Sequence, residues 1–371
     1  MKKNLAIIFG GRSGEHEIAI RSAKTVIEQA NPANYHLFPV AILPSGKWLS
    51  PAESLSMFPA DTISAFQRQY GEASDRLHIL TGDASAGGFS IPNGGTQPLD
   101  CVFPVLHGTY GEDGTIQGLF EMADVPYVGC GVLGSSCGMD KVTMKTLFRE
   151  ADLSICEYVW FLRSEWEAQS DGVIRSVEAK IGYPCFVKPA NLGSSVGITR
   201  ANDEESLRKA ISLAAEYDRK IIVEEGLDVR EIECAVLGNE SPDASEAGEY
   251  IIRDETKAFL DWEEKYTGTG NNEFITPAPL SAELSEKIKQ LAVRAFKAID
   301  GSGLARVDFF LRKDSGSLLV NEINTMPGLT DASGYPKMWE ASGKDFRGVI
   351  DKLVDLAVER YEDKKRNRTD R

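Results

Sequence analysis

The sequence predicts an α/β protein that opens on a parallel sheet, and three observations carry that prediction. Apolar runs of strand length alternate with helical stripes through the N-terminal third, and those runs end in glycine turns. Two further strand-like runs near the C-terminus set acids and an amide among apolar neighbours. Leu5 to Phe9 reads as a buried strand ending in Gly10 and Gly11. A helical pattern follows from about Glu15 to Ala30, with Ile18, Ser22, Val26 and Ile27 on one side. His36 to Leu43 and Cys101 to Leu106 read as strands, and Thr115 to Ala123 as a helix. The intervening residues 45–95 are polar, rich in Gly and Ser, and read as an insertion without nameable chemistry.

Farther along, a helix is expected after Asp140, strands at Tyr158 to Leu162 and Pro184 to Lys188, a helix at Asp203 to Tyr217, and a strand at Lys220 to Glu224. A strand from Glu231 to Leu237 opens the C-terminal part. Leu284, Ile288, Leu291, Ala295 and Ile299 then form the stripe of a helix over Ala282 to Ile299. A last helix covers about Asp345 to Arg360, and Lys364 to Arg371 reads as a charged tail.

Composition narrows the function. A chain of 371 residues divides into two or three domains, and a net charge of −15 argues against a general nucleic-acid binder. Cys101, Cys130, Cys137, Cys156, Cys185 and Cys234 form no CxxC pair and read as small hydrophobes in a reducing compartment. No apolar stretch approaches the roughly 20 residues of a membrane span. With no leader read at Met1 to Asn4, the expected location is cytoplasmic.

The acids near the C-terminus are the most informative feature. Side chains alternate along a strand, so Glu322 and Asn324 share a face, and Asp308 sits similarly among Val307, Phe309 and Phe310. Such groups are costly if left unpaired, and Mg²⁺ takes a few such oxygens alongside waters and phosphate. Salt-bridged strand-end acids are the plain alternative. Arg306 shares the face of Asp308, either to reach phosphate and substrate or simply to pair with it.

A phosphate site is expected where the strand ending in Lys188 meets the loop Gly193-Ser194-Ser195-Val196-Gly197. Glycines there let backbone N–H groups approach an anion, and the serines add donors. Lys141 supplies a second point charge. A simple hairpin turn is the alternative. Gly129-Cys130-Gly131-Val132-Leu133-Gly134 has the spacing of a dinucleotide fingerprint, with Glu150 placed to meet a ribose. Here, however, the helix is expected only after Gly138, so the third glycine does not open it. Glu15, at a strand–turn–helix junction, suits an ammonium or simply complements the helix N-terminus. His107 stands at a strand's C-terminal end, where ligands of open α/β sheets bind, or is a satisfied structural histidine. Residues 257–276 form a long polar stretch of the kind that makes lids.

These segments together resemble the D-alanine–D-alanine ligases of the ATP-grasp superfamily. The resemblance rests on Phe9 to Glu17, Leu106 to Gly118, Met139-Asp140-Lys141, Lys188 through Gly197, Lys265-Tyr266, Ala305 to Asp308 and Asn321 to Gly328, in the family order. Met326 and Leu329 are minor apolar departures. The resemblance implies three domains: an N-terminal α/β domain (1–138), a central domain (139–228) and a C-terminal domain (229–371), with ATP between the last two. It implies Lys141, Lys188, Ser194 and Ser195 at phosphates, Glu224, Glu225 and Leu227 at adenine, Glu231 at ribose, and Lys265 near the nucleotide. Asp308, Glu322 and Asn324 would hold two Mg²⁺ ions, with Mn²⁺ as a substitute. Glu15 would meet the ammonium of a first D-alanine near His107, and Lys265 and Ser333 the carboxylate of a second. Arg306 and the Gly328 N–H would face an oxyanion, while Tyr266 would link to Ser194 and Glu15. The implied reaction is ATP-dependent formation of D-alanyl-D-alanine through an acyl phosphate, by a homodimer acting on small molecules. D-alanine–D-serine and D-alanine–D-lactate ligases are the nearest alternatives; an NAD-dependent dehydrogenase and a non-catalytic nucleotide-binding regulator are those from other classes.

Overall fold

The computed structural model describes residues 1–73, 78–79, 89–90, 99–193, 197–252 and 272–368. The N-terminal apolar runs become β1 (Lys3–Gly10) and β2 (Tyr35–Ile42), paired in parallel. The short strands β3 (His78–Ile79) and β4 (Phe89–Ser90) pair with each other, and β5 (Cys101–Val105) joins the other side of β1 in parallel. Leu5 to Phe9 are fully buried because helices cover both faces of this sheet, as near-continuous apolar strands require. The helix His16–Gln29 turns Ile18, Ala19, Ser22, Ala23, Val26 and Ile27 inward, as its periodicity predicts.

The segment read as a polar insertion is more ordered than that. It contains helices Pro51–Leu55 and Ala60–Tyr70, whose Leu55 and Phe66, with Phe58 between them, enter the first core. Phe58 stacks 5.0 Å from Phe9. Its apolar residues are too widely spaced among polar ones to show a face until β1 supplies the other half.

A second, antiparallel sheet has the order β6–β9–β7–β8, from β6 (Tyr158–Leu162), β7 (Cys185–Pro189), β8 (Thr199–Ala201) and β9 (Lys220–Glu225). It is covered by helices Arg163–Lys180 and Glu204–Tyr217, the second capped by Asp203. The first was not expected from the sequence. It is interrupted at Gln169 and buries only Val173, Ile174 and Val177, too few to mark a stripe.

The third sheet runs β13–β12–β10–β14–β15, with β11 beside β10. Its strands are β10 (Val229–Gly238), β11 (Asp243–Ala244), β12 (Gly248–Ile252), β13 (Asn272–Ile275), β14 (Gly303–Arg312) and β15 (Leu318–Asn324). Helices Lys141–Glu150 and Ala282–Ala298 pack against it through Met144, Phe148, Ile288, Ala292 and Phe296. The last helices, Gly334–Ala341 and Phe346–Lys364, return to the first core, where Tyr335, Trp339 and Leu353 join Val26 and Tyr35.

The glycine pattern at 129–134 is settled by packing. Contrary to expectation the helix begins at Val132, directly after Gly131, and Gly134 lies inside it. A Cβ on Gly134 would come 2.7 Å from the Asp300 carbonyl, and the Gly129 carbonyl accepts from Arg360. These glycines let the first and third sheets approach each other. Among the described residues no helix is long and apolar enough to cross a membrane. The six cysteines are free thiols, buried except for the half-buried Cys137.

Candidate active site

The three sheets meet around an open cleft whose walls carry residues far apart in sequence, among them Glu15, His107, Lys141, Gly193, Arg306, Glu322, Asn324, Gly328 and Ser333. From the first sheet comes Glu15, at the start of helix His16–Gln29. Its carboxylate is walled by two loops: a Cβ on Gly108 would come 2.6 Å, and one on Gly193 3.1 Å, from Glu15 Oε2. Gly108 is also held at φ +73, so a side chain there is excluded twice.

His107 follows the end of β5 by two residues and is 3 % exposed. Its Nδ1 lies 2.9 Å from the Met326 carbonyl and its Nε2 3.0 Å from Ser22 Oγ. Ser22 Oγ also accepts from Leu329 N at 3.2 Å. The two residues therefore pin the backbone on both sides of Gly328. Burial by itself lowers the His107 pKa, but the Glu112 carboxylate 3.7 Å from Nδ1 and the charge of Glu15 outweigh it, and the net direction is up.

The third sheet contributes an acidic row. Glu233 of β10 lies opposite Asp308 of β14, which lies opposite Glu322 of β15, with a register shift just after Asp308. Directly opposed carboxylates repel, and cations answer them. Arg306 Nε and Nη2 donate to the two Asp308 oxygens, each at 2.6 Å, and Nε is 3.2 Å from Glu233 Oε1. Lys141 Nζ stands 3.8 Å from Glu322 Oε2 and donates to the Leu192 carbonyl at 2.8 Å. Asn324 Oδ1 accepts from Met326 N at 3.0 Å, shaping the turn into Gly328. The pairing of Arg306 with Asp308 is thus present, and it does not exclude a second task, because the guanidinium also lines the cleft.

The second sheet supplies Lys188, whose ammonium donates to Glu224 Oε2 at 2.6 Å. Lys145 stands on the other side, 2.9 Å from Glu224 Oε1. Despite burial, which works the other way, these two lysines lower the Glu224 carboxyl to about 2. Glu224 therefore presents a neutralised carboxylate rather than a bare acid. Glu225 accepts from Glu157 N at 2.9 Å, Leu227 is half-buried just after β9, and Glu231 shares the strand face of Glu233. Ser333 stands at the N-terminal boundary of the helix Gly334–Ala341, its hydroxyl turned to Thr330 rather than to the helix. Its Oγ is 2.7 Å from Thr330 Oγ1, and a Cβ on Gly328 would meet it at 2.8 Å. Ser194, Ser195, Lys265 and Tyr266 lie outside the described residues.

Asp308, Glu322 and Asn324 are a hard-oxygen set of the kind that suits Mg²⁺, and cross-strand register brings them together. Among the described residues no three acidic, His or Cys side chains converge as a metal cluster. The set has an amide as its third member, and both Asp308 oxygens face Arg306. Sequence reasoning missed Lys145, Glu233, Glu112 and Ser22. Lys145 follows Lys141 by one helical turn and Glu233 follows Glu231 by one strand repeat, which is the only local signal for either.

Comparison with known proteins points one way. Residues 4–130 match the model of the D-ala D-ala ligase N-terminus and residues 147–355 that of the D-ala D-ala ligase C-terminus. The chain is 46% identical to the D-alanine--D-alanine ligase of Heliobacterium modesticaldum, over 100% of this chain and 99% of that one. It is 44% identical to that of Bacillus velezensis, over 96% and 98%. Among solved structures, the D-alanine-D-alanine ligase of Coxiella burnetii aligns with TM-score 0.80 at 34% identity, covering 98% of each chain. The VanG D-Ala:D-Ser ligase of Enterococcus faecalis aligns with TM-score 0.81 at 36% identity, over 96% of this chain and all of that one.

Proposed function

The chain belongs to the D-alanine–D-alanine ligase family with its α/β ATP-grasp fold, and on that premise we propose how its residues join two D-alanine molecules at the cost of ATP. The observation that carries the assignment of roles is the convergence of Glu15, Arg306, Glu322 and Gly328 on one cleft from distant parts of the chain. A carboxylate is a poor electrophile, so the first D-alanine is phosphorylated to an acyl phosphate. The amine of the second attacks that carbonyl, and the tetrahedral intermediate expels phosphate. The dipeptide serves peptidoglycan precursor synthesis.

Glu15, fixed between Gly108 and Gly193, receives the ammonium of the first D-alanine, with His107 beneath it. The Gly328 N–H has no acceptor among the described residues, and the His107–Ser22 clamp holds its neighbours, so it is ready for the oxyanion. Arg306 supplies the second oxyanion donor. Ser333 and Lys265 take the carboxylate of the second D-alanine. Lys141, Lys188, Ser194 and Ser195 meet the phosphates, Glu224, Glu225 and Leu227 the adenine, and Glu231 the ribose. Asp308, Glu322 and Asn324 would hold Mg²⁺ or Mn²⁺, two ions by family resemblance, which supplies neutralisation of phosphate charge. By family resemblance Tyr266 would act with Ser194 and Glu15 to shield the acyl phosphate from water. We divide the chain into domains 1–138, 139–228 and 229–371, a reading supported by one main sheet within each range, although helix Lys141–Glu150 packs on the third sheet and the last two helices on the first core; the protein acts as a cytoplasmic homodimer.

Phosphate release from ATP and Mg²⁺ with D-alanine alone, and with D-serine or D-lactate added, tests the reading. Release that depends on D-alanine, with D-alanyl-D-alanine as the main product, is expected. Release indifferent to D-alanine, or a product dominated by D-serine or D-lactate, refutes it.

A further inference from the structure

Lys145 is more deeply buried than Lys141 or Lys188, at 1 % exposure against 8 % for each of them. Besides Glu224 Oε1 at 2.9 Å, its Nζ meets the Asn321 carbonyl at 3.2 Å and Cys156 Sγ at 3.4 Å. Burial pushes the Cys156 thiol up to about 11, so it stays neutral and leaves Glu224 as the anion of the group. One buried carboxylate is thus divided between two lysines: Oε1 to Lys145, and Oε2 to Lys188 at 2.6 Å.

The division has a consequence for ligand binding. A lone Lys188–Glu224 pair would be electrically complete. Any anion recruiting Lys188 would then strand a carboxylate that is 2 % exposed, and breaking a buried pair is strongly unfavourable. With Lys145 on Oε1, Glu224 keeps a counter-ion when Lys188 turns away. Two lysines on one carboxylate also leave one positive charge in excess.

We propose that Lys145 is a positioning residue: it retains Glu224 so that Lys188 is released to the phosphates of a nucleoside triphosphate. The inference rests on the reading of Lys188 as a nucleotide-binding group. Through the Asn321 carbonyl the same ammonium ties the end of β9 to β15, the strand that carries Glu322 and Asn324.

The test is ATP–Mg²⁺ binding to the full chain, measured by calorimetry without D-alanine. Lys145→Met is expected to weaken ATP by about tenfold or more, with the KM for D-alanine unchanged. Lys145→Arg, which keeps the charge, should lose much less. Because Glu224 is itself placed at the adenine, the comparison is made within one background: in Glu224→Gln, where no carboxylate is left to hold Lys188, Lys145→Met should cost no further ATP affinity. ATP affinity of Lys145→Met equal to the parent, or a double variant about tenfold weaker than Glu224→Gln alone, overturns the proposal. Should Lys145→Met by itself fail to fold, the comparison within the Glu224→Gln background decides alone. Failure of the ligase reading shows separately, as parent protein that binds ATP without D-alanine-dependent phosphate release.

Discussion

Replacing Arg306 with alanine is expected to damage stability and turnover by separable amounts. The guanidinium makes two donor contacts to Asp308, each at 2.6 Å, and lies 3.2 Å from Glu233, with its side chain 15% exposed. Its removal leaves two carboxylates facing each other across β10 and β14 without their shared cation. Breaking a buried pair in this way costs about 3–5 kcal/mol, read as a lower denaturant midpoint at unchanged slope. A donor aimed at a tetrahedral oxyanion is worth about 2.7–4 kcal/mol, or roughly 10²–10³ in turnover. D-alanine-dependent phosphate release under conditions where the variant is folded should fall by at least that factor, while ATP affinity changes much less. Arg306→Lys restores a charge but not the planar fork, so it should regain part of the stability and little of the rate. If either variant, once folded, turns over within a few-fold of the parent, Arg306 is only the partner of Asp308 and the oxyanion role fails.

Three further outcomes are expected. Glu322→Gln should leave the fold intact and nearly abolish turnover; near-parental activity at ordinary Mg²⁺ would refute the metal assignment. Because the folded Glu224 carboxyl titrates at about 2 rather than 4.5, its contribution is present above pH 4.5 and lost as pH falls toward 2. The size is about 3 kcal/mol, and urea unfolding that shows no loss of stability on acidification through this range would contradict it. Ser22→Ala strands Leu329 N and His107 Nε2, so about 1–3 kcal/mol of stability should go. Turnover should fall as the Gly328 backbone loosens, and an unchanged denaturation midpoint together with unchanged turnover would show that the clamp is idle.

Most of the secondary structure was legible because local periodicity encodes it. The stripe from Leu284 to Ile299 and the buried run of β1 left little choice, and Asp140 capping Val142 and Thr143 marks a helix start that any reader of capping rules can find. The helix at Val132 was not legible, since glycines and serines are weak formers and contacts with Asp300 and Thr325 decide the matter.

By itself the sequence determined which chemical groups exist and where along each strand they point. Alternation sets Glu322 with Asn324 and Arg306 with Asp308, and the ordered motifs fix the family. Only the tertiary structure decided who neutralises whom. Lys188 meets Glu224 36 residues away, and Lys145 meets Asn321 176 residues away. The acidic row exists only because β10, β14 and β15 lie side by side in that register. Strand and helix periods are short-range properties of the backbone, readable in a window of a dozen residues. A buried charge takes its partner from whatever the topology sets beside it, and no window contains that.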